Sequence, residues 1–129
     1  RTTRLNRLIF DAEAASRGIS NRIALCEIAG LLKRIHAGTL VDAQASESML
    51  EILKAQQINH KIPNALPRVP IAHKTGEDTN ESHDAALICT EHPYILCFAS
   101  EHTPVYPYEC ALREASRQIY DYMQEKYRT

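Results

Sequence analysis

The sequence predicts an α+β domain in which an antiparallel sheet is flanked by helices. Two near-continuous apolar runs, at residues 83–90 and 94–100, are separated by a short turn and are typical of an antiparallel hairpin. Helical patterns fill the first half of the chain, and a further helical pattern covers residues 108–126 near the end of the chain. Because helices and strands are segregated along the chain rather than alternating, the pattern favours α+β over a parallel α/β sheet.

Three helices are predicted before the strands. Residues 4–17 are rich in Leu, Ala, Glu and Arg, and Gly18 follows in the usual position after a last helical turn. A second helix covers about residues 24–36, with apolar residues at three- and four-residue spacing, and Gly38 ends it. Asp42 is a typical N-cap for a third helix. The buried stripe of that third helix is predicted to consist of Ala45, Met49, Leu50 and Leu53.

The strands follow an irregular connection. Residues 58–67 contain two prolines, which exclude a long helix and predict a short helical turn. A strand is predicted from Val69 to Lys74, and the polar run at residues 77–82 predicts the turn into the hairpin. We therefore treat residues 1–129 as one domain, with a helical part at 1–67 and three strands plus a helix at 68–129.

Composition excludes several classes of function. The chain has 129 residues and a net charge of −1, and it lacks the basic footprint of a nucleic-acid-binding protein. Its apolar runs are too short to span a bilayer. No histidine has the i, i+4 spacing with an interposed Glu that a helical zinc site needs, so the sequence predicts neither a metal site nor a cofactor.

Two other sets of residues could be reactive, the four cysteines and a Ser-His-Asp triplet. The four widely spaced cysteines are interpreted as buried free thiols, with a cross-strand disulfide between Cys89 and Cys97 as the open alternative. Residues 82–84 spell Ser-His-Asp, the letters of a catalytic triad. Adjacent residues on a strand point to opposite faces, so these three cannot form the relay. We interpret them as the entry to a strand.

Several segments together resemble a known family. These are His-Lys-Thr-Gly-Glu at residues 73–77, Ser-His-Asp-Ala-Ala at 82–86 and Tyr-Ile-Leu-Cys at 94–97, with residues 49–57 and 61–67 upstream. Their order is similar to the C-terminal half of the class A β-lactamase and penicillin-binding-protein-like serine hydrolases. The resemblance implies the C-terminal half of a β-lactamase/transpeptidase-like fold. It also implies an extracytoplasmic protein, either periplasmic or secreted.

The resemblance implies a role for each residue of the Lys-Thr-Gly-Glu segment. Lys74 would direct positive potential toward a substrate carboxylate, and the Thr75 hydroxyl would donate a hydrogen bond to the same group. Gly76 would let an acyl substrate lie close to the strand. The backbone N–H of Glu77 would be one of two oxyanion-hole donors. Lys74 and Thr75 are therefore the supporting catalytic candidates, and residues 74–77 together form the predicted substrate-binding strand for a β-lactam-like acyl substrate.

Two elements of the family pattern are missing. None of the serines is followed three positions later by lysine, and no S-x-N sequence occurs. In the family both motifs precede the region matched here, so we expect the chain to be a fragment of a longer protein. We expect it to be inactive alone and to associate with the missing N-terminal half or with a second copy, because binding groups without a nucleophile cannot form an acyl-enzyme.

Two further departures bear on turnover. The resemblance places Ile9 near the position of the deacylating glutamate, while Asp11 and Glu13 have the wrong spacing and are interpreted as solvated helix residues. The Glu77 carboxylate is expected to repel some anionic β-lactams. The resemblance implies a serine acyl hydrolase that acts on β-lactams or related amides and esters. The alternative is a non-catalytic or slowly deacylating penicillin-binding module.

Overall fold

A computed structural model of the chain describes residues 2–128, and Arg1 and Thr129, the two ends of the predicted domain, lie outside the described residues. Helices precede and follow an antiparallel sheet, as predicted. The described elements are α1 (Ala12–Ser16), α2 (Leu25–His36), α3 (Ala43–Lys54), α4 (Ile62–Ala65), β1 (Ile71–Asp78), β2 (Glu81–Ile88), β3 (Tyr94–Ala99) and α5 (Val105–Lys126).

The sheet has the strand order β1-β2-β3, and both pairings are antiparallel. Thr75 lies opposite Asp84, and Gly76 lies opposite His83. A two-residue turn joins β1 to β2, and its second residue, Asn80, has a positive φ of 58°. Asparagine tolerates this left-handed conformation better than most residues.

Helices cover both faces of the sheet. On one face, α4 and α5 pack against alternate residues of the three strands and form the main apolar core. On the other face, α2 and α3 contact the sheet around the buried residues Ala72 and Leu87. The main core contains Ile62, Leu66, Ile71, Ala86, Ile88, Leu96 and Leu112.

The helices that follow clear sequence signals form where they are predicted. The prediction for α2 differs from the structure by one residue, and Gly38 follows the helix with a φ of 69°. The Asp42 carboxylate accepts a hydrogen bond from the Ala45 N–H at 2.7 Å, which confirms the predicted N-cap. The connection at 58–67 contains only the four-residue helix α4, as its prolines require.

The first predicted helix is wrong over most of its length. Only Ala12–Ser16 is helical, and Arg4 instead pairs with Arg22 in an isolated antiparallel bridge. Both backbone hydrogen bonds of the bridge are short, at 2.8 and 2.9 Å. The segment is therefore a loop with closed ends, and its helix-favouring composition does not decide its structure because local propensity is a weak constraint.

Strand β1 is longer than predicted. It continues through Gly76 to Asp78, and only Thr79 and Asn80 form the turn. The polar residues at 77–82 were interpreted as a turn because of their composition, but cross-strand pairing stabilises most of them in extended conformation. The Lys-Thr-Gly-Glu segment thus lies inside a strand rather than at its end.

The cysteines are free thiols, as interpreted, but they are not buried. Cys26 is exposed, and Cys89, Cys97 and Cys110 are half-buried. Among the described residues, no helix is both long enough and apolar enough to cross a membrane.

Candidate active site

The outer edge of β1 exposes backbone donors and acceptors. The Cys89 N–H donates to the Pro70 carbonyl at 2.9 Å, which makes these two a hydrogen-bonded cross-strand pair. Because such pairs alternate along an antiparallel ladder, Gly76 and His83 form a hydrogen-bonded pair, whereas Thr75 and Glu77 do not bond to β2. The N–H and C=O of Thr75 and Glu77 therefore point away from β2. Within residues 2–128 no strand pairs with this edge.

Lys74 lies beside this edge with its ammonium group accessible. The residue is exposed, and its Nζ donates to the outward-pointing Thr75 carbonyl at 2.6 Å. The side chain therefore curls toward the open edge instead of extending into solvent. This arrangement places a positive charge next to the exposed backbone groups of β1.

The Thr75 side chain lies on the opposite face of the strand from Lys74. Thr75 is only 6% exposed and is directly opposite Asp84. The structure thus brings the Lys74 ammonium and the Thr75 carbonyl together, but it places the Thr75 hydroxyl on the face covered by α4 and α5. What Thr75 presents openly at this edge is its backbone.

Gly76 is favoured here by the limited space and not by backbone conformation. Its φ is outside the left-handed region, which among the glycines is occupied by Gly18 and Gly38. A Cβ added to Gly76 would lie 3.2 Å from Cδ2 of His83 across the strand pair. Any larger residue at this position would therefore press on the His83 ring.

The Glu77 carboxylate is paired with a cation. Glu77 Oε1 lies 3.0 Å from the Lys61 ammonium, and His60 Nε2 lies 3.5 Å from the same oxygen. The hydrogen bond from Lys61 lowers the pKa of Glu77, against a smaller opposing effect of burial. Because the ammonium offsets the negative charge, the predicted repulsion of an anionic substrate is weaker than the sequence alone indicates.

Lys61 is a residue that the sequence reasoning missed. It is fully buried, and its Nζ donates to the Gly76 carbonyl at 3.2 Å and to the His83 carbonyl at 3.1 Å, in addition to its contact with Glu77. It precedes α4 and reaches across the sheet from there. The only sequence signal is a lysine beside an isoleucine in the connection before β1, which predicts nothing without the register of the strands.

A second buried polar cluster lies behind Thr75. His73 Nδ1 is 2.9 Å from Asp84 Oδ1, and both residues are almost completely buried. The other Asp84 oxygen accepts a hydrogen bond from the Ile62 N–H at 3.1 Å, and His73 Nε2 lies 3.1 Å from Asn59 Oδ1. These contacts join β1 and β2 to the start of α4. They satisfy the hydrogen-bonding groups of a buried histidine and a buried aspartate.

Three potential metal ligands also come together near the strand. One ligand atom from each of His60, Glu77 and Glu109 lies within 4.8 Å of the others. Lys61 contacts the Glu77 carboxylate, and Arg113 lies 3.7 Å from Glu109. The two negative charges are therefore compensated by side chains. We interpret the cluster as a network of ion pairs.

The Ser82-His83-Asp84 triplet does not form a relay. Ser82 and Asp84 are buried on the face covered by α4 and α5, whereas His83 points to the other face and is partly exposed. The Ser82 hydroxyl donates to Glu109 at 2.8 Å. This confirms the prediction that neighbouring strand residues cannot act together as nucleophile and base.

The loop at residues 2–24 contains Ile9, which the family resemblance places near the position of the deacylating glutamate. Ile9 is 75% exposed, and Asp11 caps α1 by accepting a hydrogen bond from the Ala14 N–H. Glu13 forms an exposed ion pair with Arg17 at 3.6 Å. Asp11 and Glu13 thus have local roles in a short helix, as interpreted.

One described cleft lies away from this strand edge. Its volume is about 280 Å³, and it lies between the bridge at Arg22 and the strand ends near Glu81, His83 and Ser100. None of residues 74–77 lines it. The features that point to chemistry therefore lie on an open strand edge and not in a closed pocket.

Comparisons with known proteins agree with this architecture. The chain is similar to "Structure of PBP-A", with a TM-score of 0.82 and 21% identity over 95% of this chain and 46% of that one. A mutant of PBP-A, described as an acyl-enzyme complex with penicillin G, gives a TM-score of 0.83 and 20% identity over 97% and 47% of the two chains. A representative of class A beta-lactamase from Bacteroides cellulosilyticus gives 0.77 and 18% identity over 97% and 50%.

These solved structures share the fold, and the chain spans about half of their length. No curated protein matches the chain significantly. The predicted fold, a β-lactamase-like α+β domain with an antiparallel sheet flanked by helices, is confirmed by these similarities. The C-terminal position of the chain within such a domain stays a prediction. The model of the family described as "Beta-lactamase enzyme family" matches residues 1–123. With nearly all of its residues matched, the chain belongs to the beta-lactamase enzyme family.

Proposed function

We propose that this chain is the C-terminal portion of a single catalytic domain and supplies the substrate-binding strand of a serine acyl hydrolase. The substrate class is a β-lactam or a related amide or ester, and the reaction passes through an acyl-enzyme. The observation that carries the proposal is the open edge of β1, where the Glu77 N–H points outward beside the Lys74 ammonium. Family membership and the shared fold support the same class of reaction.

The proposed chemistry divides between this chain and the portion that carries the nucleophile. A serine hydroxyl supplied by that portion attacks the substrate carbonyl carbon, and a C–O bond forms as the hydroxyl gives up its proton. The C–N bond of a β-lactam or amide, or the C–O bond of an ester, then breaks, and the leaving atom takes that proton. In the tetrahedral intermediate between bond formation and bond cleavage, the carbonyl oxygen carries a negative charge. The Glu77 N–H is one of two donors that stabilise this charge, and removing one such donor typically slows acylation by about 10²- to 10³-fold.

Lys74 has an electrostatic role in this proposal. Its ammonium lies at the open edge and attracts the carboxylate that β-lactams carry next to the scissile bond. The Thr75 hydroxyl, which is nearly buried in this chain, is proposed as a second donor to the same carboxylate. Because Gly76 has no side chain, the acyl group can approach the backbone of the strand closely.

A slow deacylation step is proposed for the intact protein. Water must be activated to hydrolyse the acyl-enzyme, and the loop at residues 2–24 offers Ile9 where a general base is expected. A second candidate function follows from this observation, namely a penicillin-binding module that acylates but turns over slowly or not at all. An extracytoplasmic location, periplasmic or secreted, belongs to both versions of the proposal.

The test uses the full-length polypeptide that contains this chain, incubated with a fluorescent penicillin and resolved on a denaturing gel. We expect a covalently labelled band whose label is lost slowly over time. Lys74→Ala should reduce the labelling rate at least tenfold, in the range typical of a lost charged contact in a binding site. Lys33→Ala, at an exposed lysine of α2, is the matched control and should label like the wild type.

Absence of any labelled band from the folded wild-type protein would overturn the proposed function. If Lys74→Ala is labelled at the wild-type rate, the proposed acyl hydrolase activity stands, but the proposed role of Lys74 in substrate binding is wrong. Rapid loss of label would contradict the slow deacylation step and favour an efficient β-lactamase.

A further inference from the structure

We propose that Lys61 is a positioning residue that fixes and polarises the peptide group between Gly76 and Glu77. The inference rests on the proposed function, in which the N–H of this peptide stabilises the oxyanion. Lys61 does not contact the substrate in this account. It acts through the peptide group, from the side opposite the open edge.

The contacts of Lys61 define this role. Its Nζ lies 3.2 Å from the Gly76 carbonyl oxygen and 3.1 Å from the His83 carbonyl oxygen, and it contacts the Glu77 carboxylate at 3.0 Å. Gly76 and His83 are the hydrogen-bonded pair at this point of the ladder, so both carbonyl groups lie between β1 and β2. The ammonium is therefore placed directly over the pair.

The Gly76 carbonyl and the Glu77 N–H are the two ends of one trans peptide group. A cation that accepts electron density at the carbonyl oxygen increases the positive character of the N–H at the other end. Because the carbonyl points inward to Lys61, the polarised N–H points outward to the open edge. The ammonium thus strengthens the donor without occupying the site where a substrate binds.

The environment supplies the Lys61 side chain with hydrogen-bond acceptors and an ion-pair partner. A buried ammonium without partners would be costly, but here it has three oxygen acceptors, one of them a carboxylate. Glu77 itself is half-exposed, and its pKa is lowered by the hydrogen bond from Lys61, so it stays ionised at neutral pH. His60 and Glu109 are the other titratable groups of this network.

A purely structural ion pair is the alternative explanation for Lys61, and the substitutions are chosen to separate the two. Lys61→Met keeps the aliphatic stem and removes the cation. Gly76 and His83 remain paired in the ladder, and Glu77 remains in contact with solvent, so the variant is expected to fold. Lys61→Arg keeps the cation, and Lys54→Met at the end of α3 is the matched control.

The first readout separates the acylation step from binding. In the full-length protein, acylation by a chromogenic β-lactam is followed at several concentrations to obtain the limiting rate constant and the dissociation constant. Lys61→Met should lower the rate constant about three- to tenfold, a fraction of the effect of deleting an oxyanion donor, and leave the dissociation constant within twofold. Lys61→Arg should recover most of the rate constant, and Lys54→Met should behave like the wild type.

The second readout does not require acylation. The amide proton of Glu77, assigned by NMR in the absence of substrate, should move upfield in Lys61→Met as the N–H loses polarisation. A loss of stability alone would leave this shift unchanged while the protein remains folded. The shift therefore reports the peptide group itself.

The outcomes separate the inference from the proposed function. If the wild type acylates and Lys61→Met does so at the same limiting rate with an unchanged Glu77 amide shift, the inference is wrong and the proposed function stands. If the folded wild type does not acylate, the proposed function fails, and the role of Lys61 in oxyanion stabilisation fails with it.

Discussion

At the scale of single residues, Glu77 illustrates how a carboxylate can occupy a strand edge proposed to bind anions. Its negative charge is compensated by the buried Lys61 ammonium, 3.0 Å from the carboxylate. Its backbone N–H remains free to point outward. The side chain and the main chain of one residue therefore face different partners.

Glu77→Gln tests the ion pair through its pH dependence. The pKa of Glu77 is lowered below its ordinary value of 4.5, so the stabilisation is present above that value and is lost as the pH falls through the folded-state pKa. We expect the substitution to reduce the free energy of unfolding by about 0.5–1 kcal/mol at pH 7, because the carboxylate is half-exposed. In urea unfolding, the difference should shrink as the pH falls below 4.5.

Glu47→Gln, at an exposed position of α3, should show no such dependence. Equal effects of Glu77→Gln at pH 7 and at pH 3 would contradict the ion-pair explanation.

The residues of the candidate site differ in how far the sequence predicts them. Residues 74–77 are contiguous, so a short motif reveals them. Lys61 contacts Gly76 from 15 positions away and His83 from 22. Only the register of β1 against β2 and the path of the connection bring these groups together, and neither can be deduced from a single sequence.

At the scale of elements, the β1–β2 hairpin determines the site. Composition predicted a turn at residues 77–82, yet pairing between the strands extends to Asp78 and Glu81. The starts of α2 and α3 were predicted within one residue, and α5 begins at Val105, three residues before its predicted start. Residues 4–17 have suitable composition but no buried stripe. Periodicity and caps predict elements because they reflect packing and hydrogen bonds, and composition alone does not.

Gly76→Ala tests the close packing in this hairpin. The added Cβ would lie 3.2 Å from the His83 ring, so we expect a loss of about 1 kcal/mol in the free energy of unfolding. Adding His83→Ala in the same protein should recover most of that loss, as measured by a double-mutant cycle.

Gly30→Ala is the matched control for this experiment. Gly30 is in α2 with no atom within 4 Å of an added Cβ, so alanine there should stabilise the protein by about 0.5–1 kcal/mol. A Gly76→Ala variant as stable as the wild type would show that the strand pair has more room than the structure indicates.

At the scale of the whole molecule, this chain exposes surfaces that usually have partners. Both outer edges of the sheet are unpaired within residues 2–128. The first loop also exposes an apolar surface, with Phe10 at 93% and its neighbours nearly as accessible. We define the apolar loop as Leu5, Leu8, Ile9 and Phe10. Open strand edges and apolar patches favour association.

We therefore expect the 129-residue chain alone to self-associate in sedimentation velocity experiments. The double substitution Leu8→Lys with Phe10→Lys should shift the distribution toward smaller species, because it adds charge to the apolar loop. Val41→Lys is the control, since Val41 is an isolated exposed apolar residue. A monodisperse wild-type monomer of 14.6 kDa would contradict this expectation.

We propose above that the open edge of β1 stabilises the oxyanion of an acyl transfer. The most direct measurement is a crystal structure of the full-length protein trapped with a β-lactam. We expect a covalent acyl-enzyme whose carbonyl oxygen lies about 2.7–3.1 Å from the Glu77 backbone nitrogen, with the substrate carboxylate beside Lys74. An acyl group bound elsewhere, with its carbonyl oxygen out of reach of the Glu77 N–H, would contradict it.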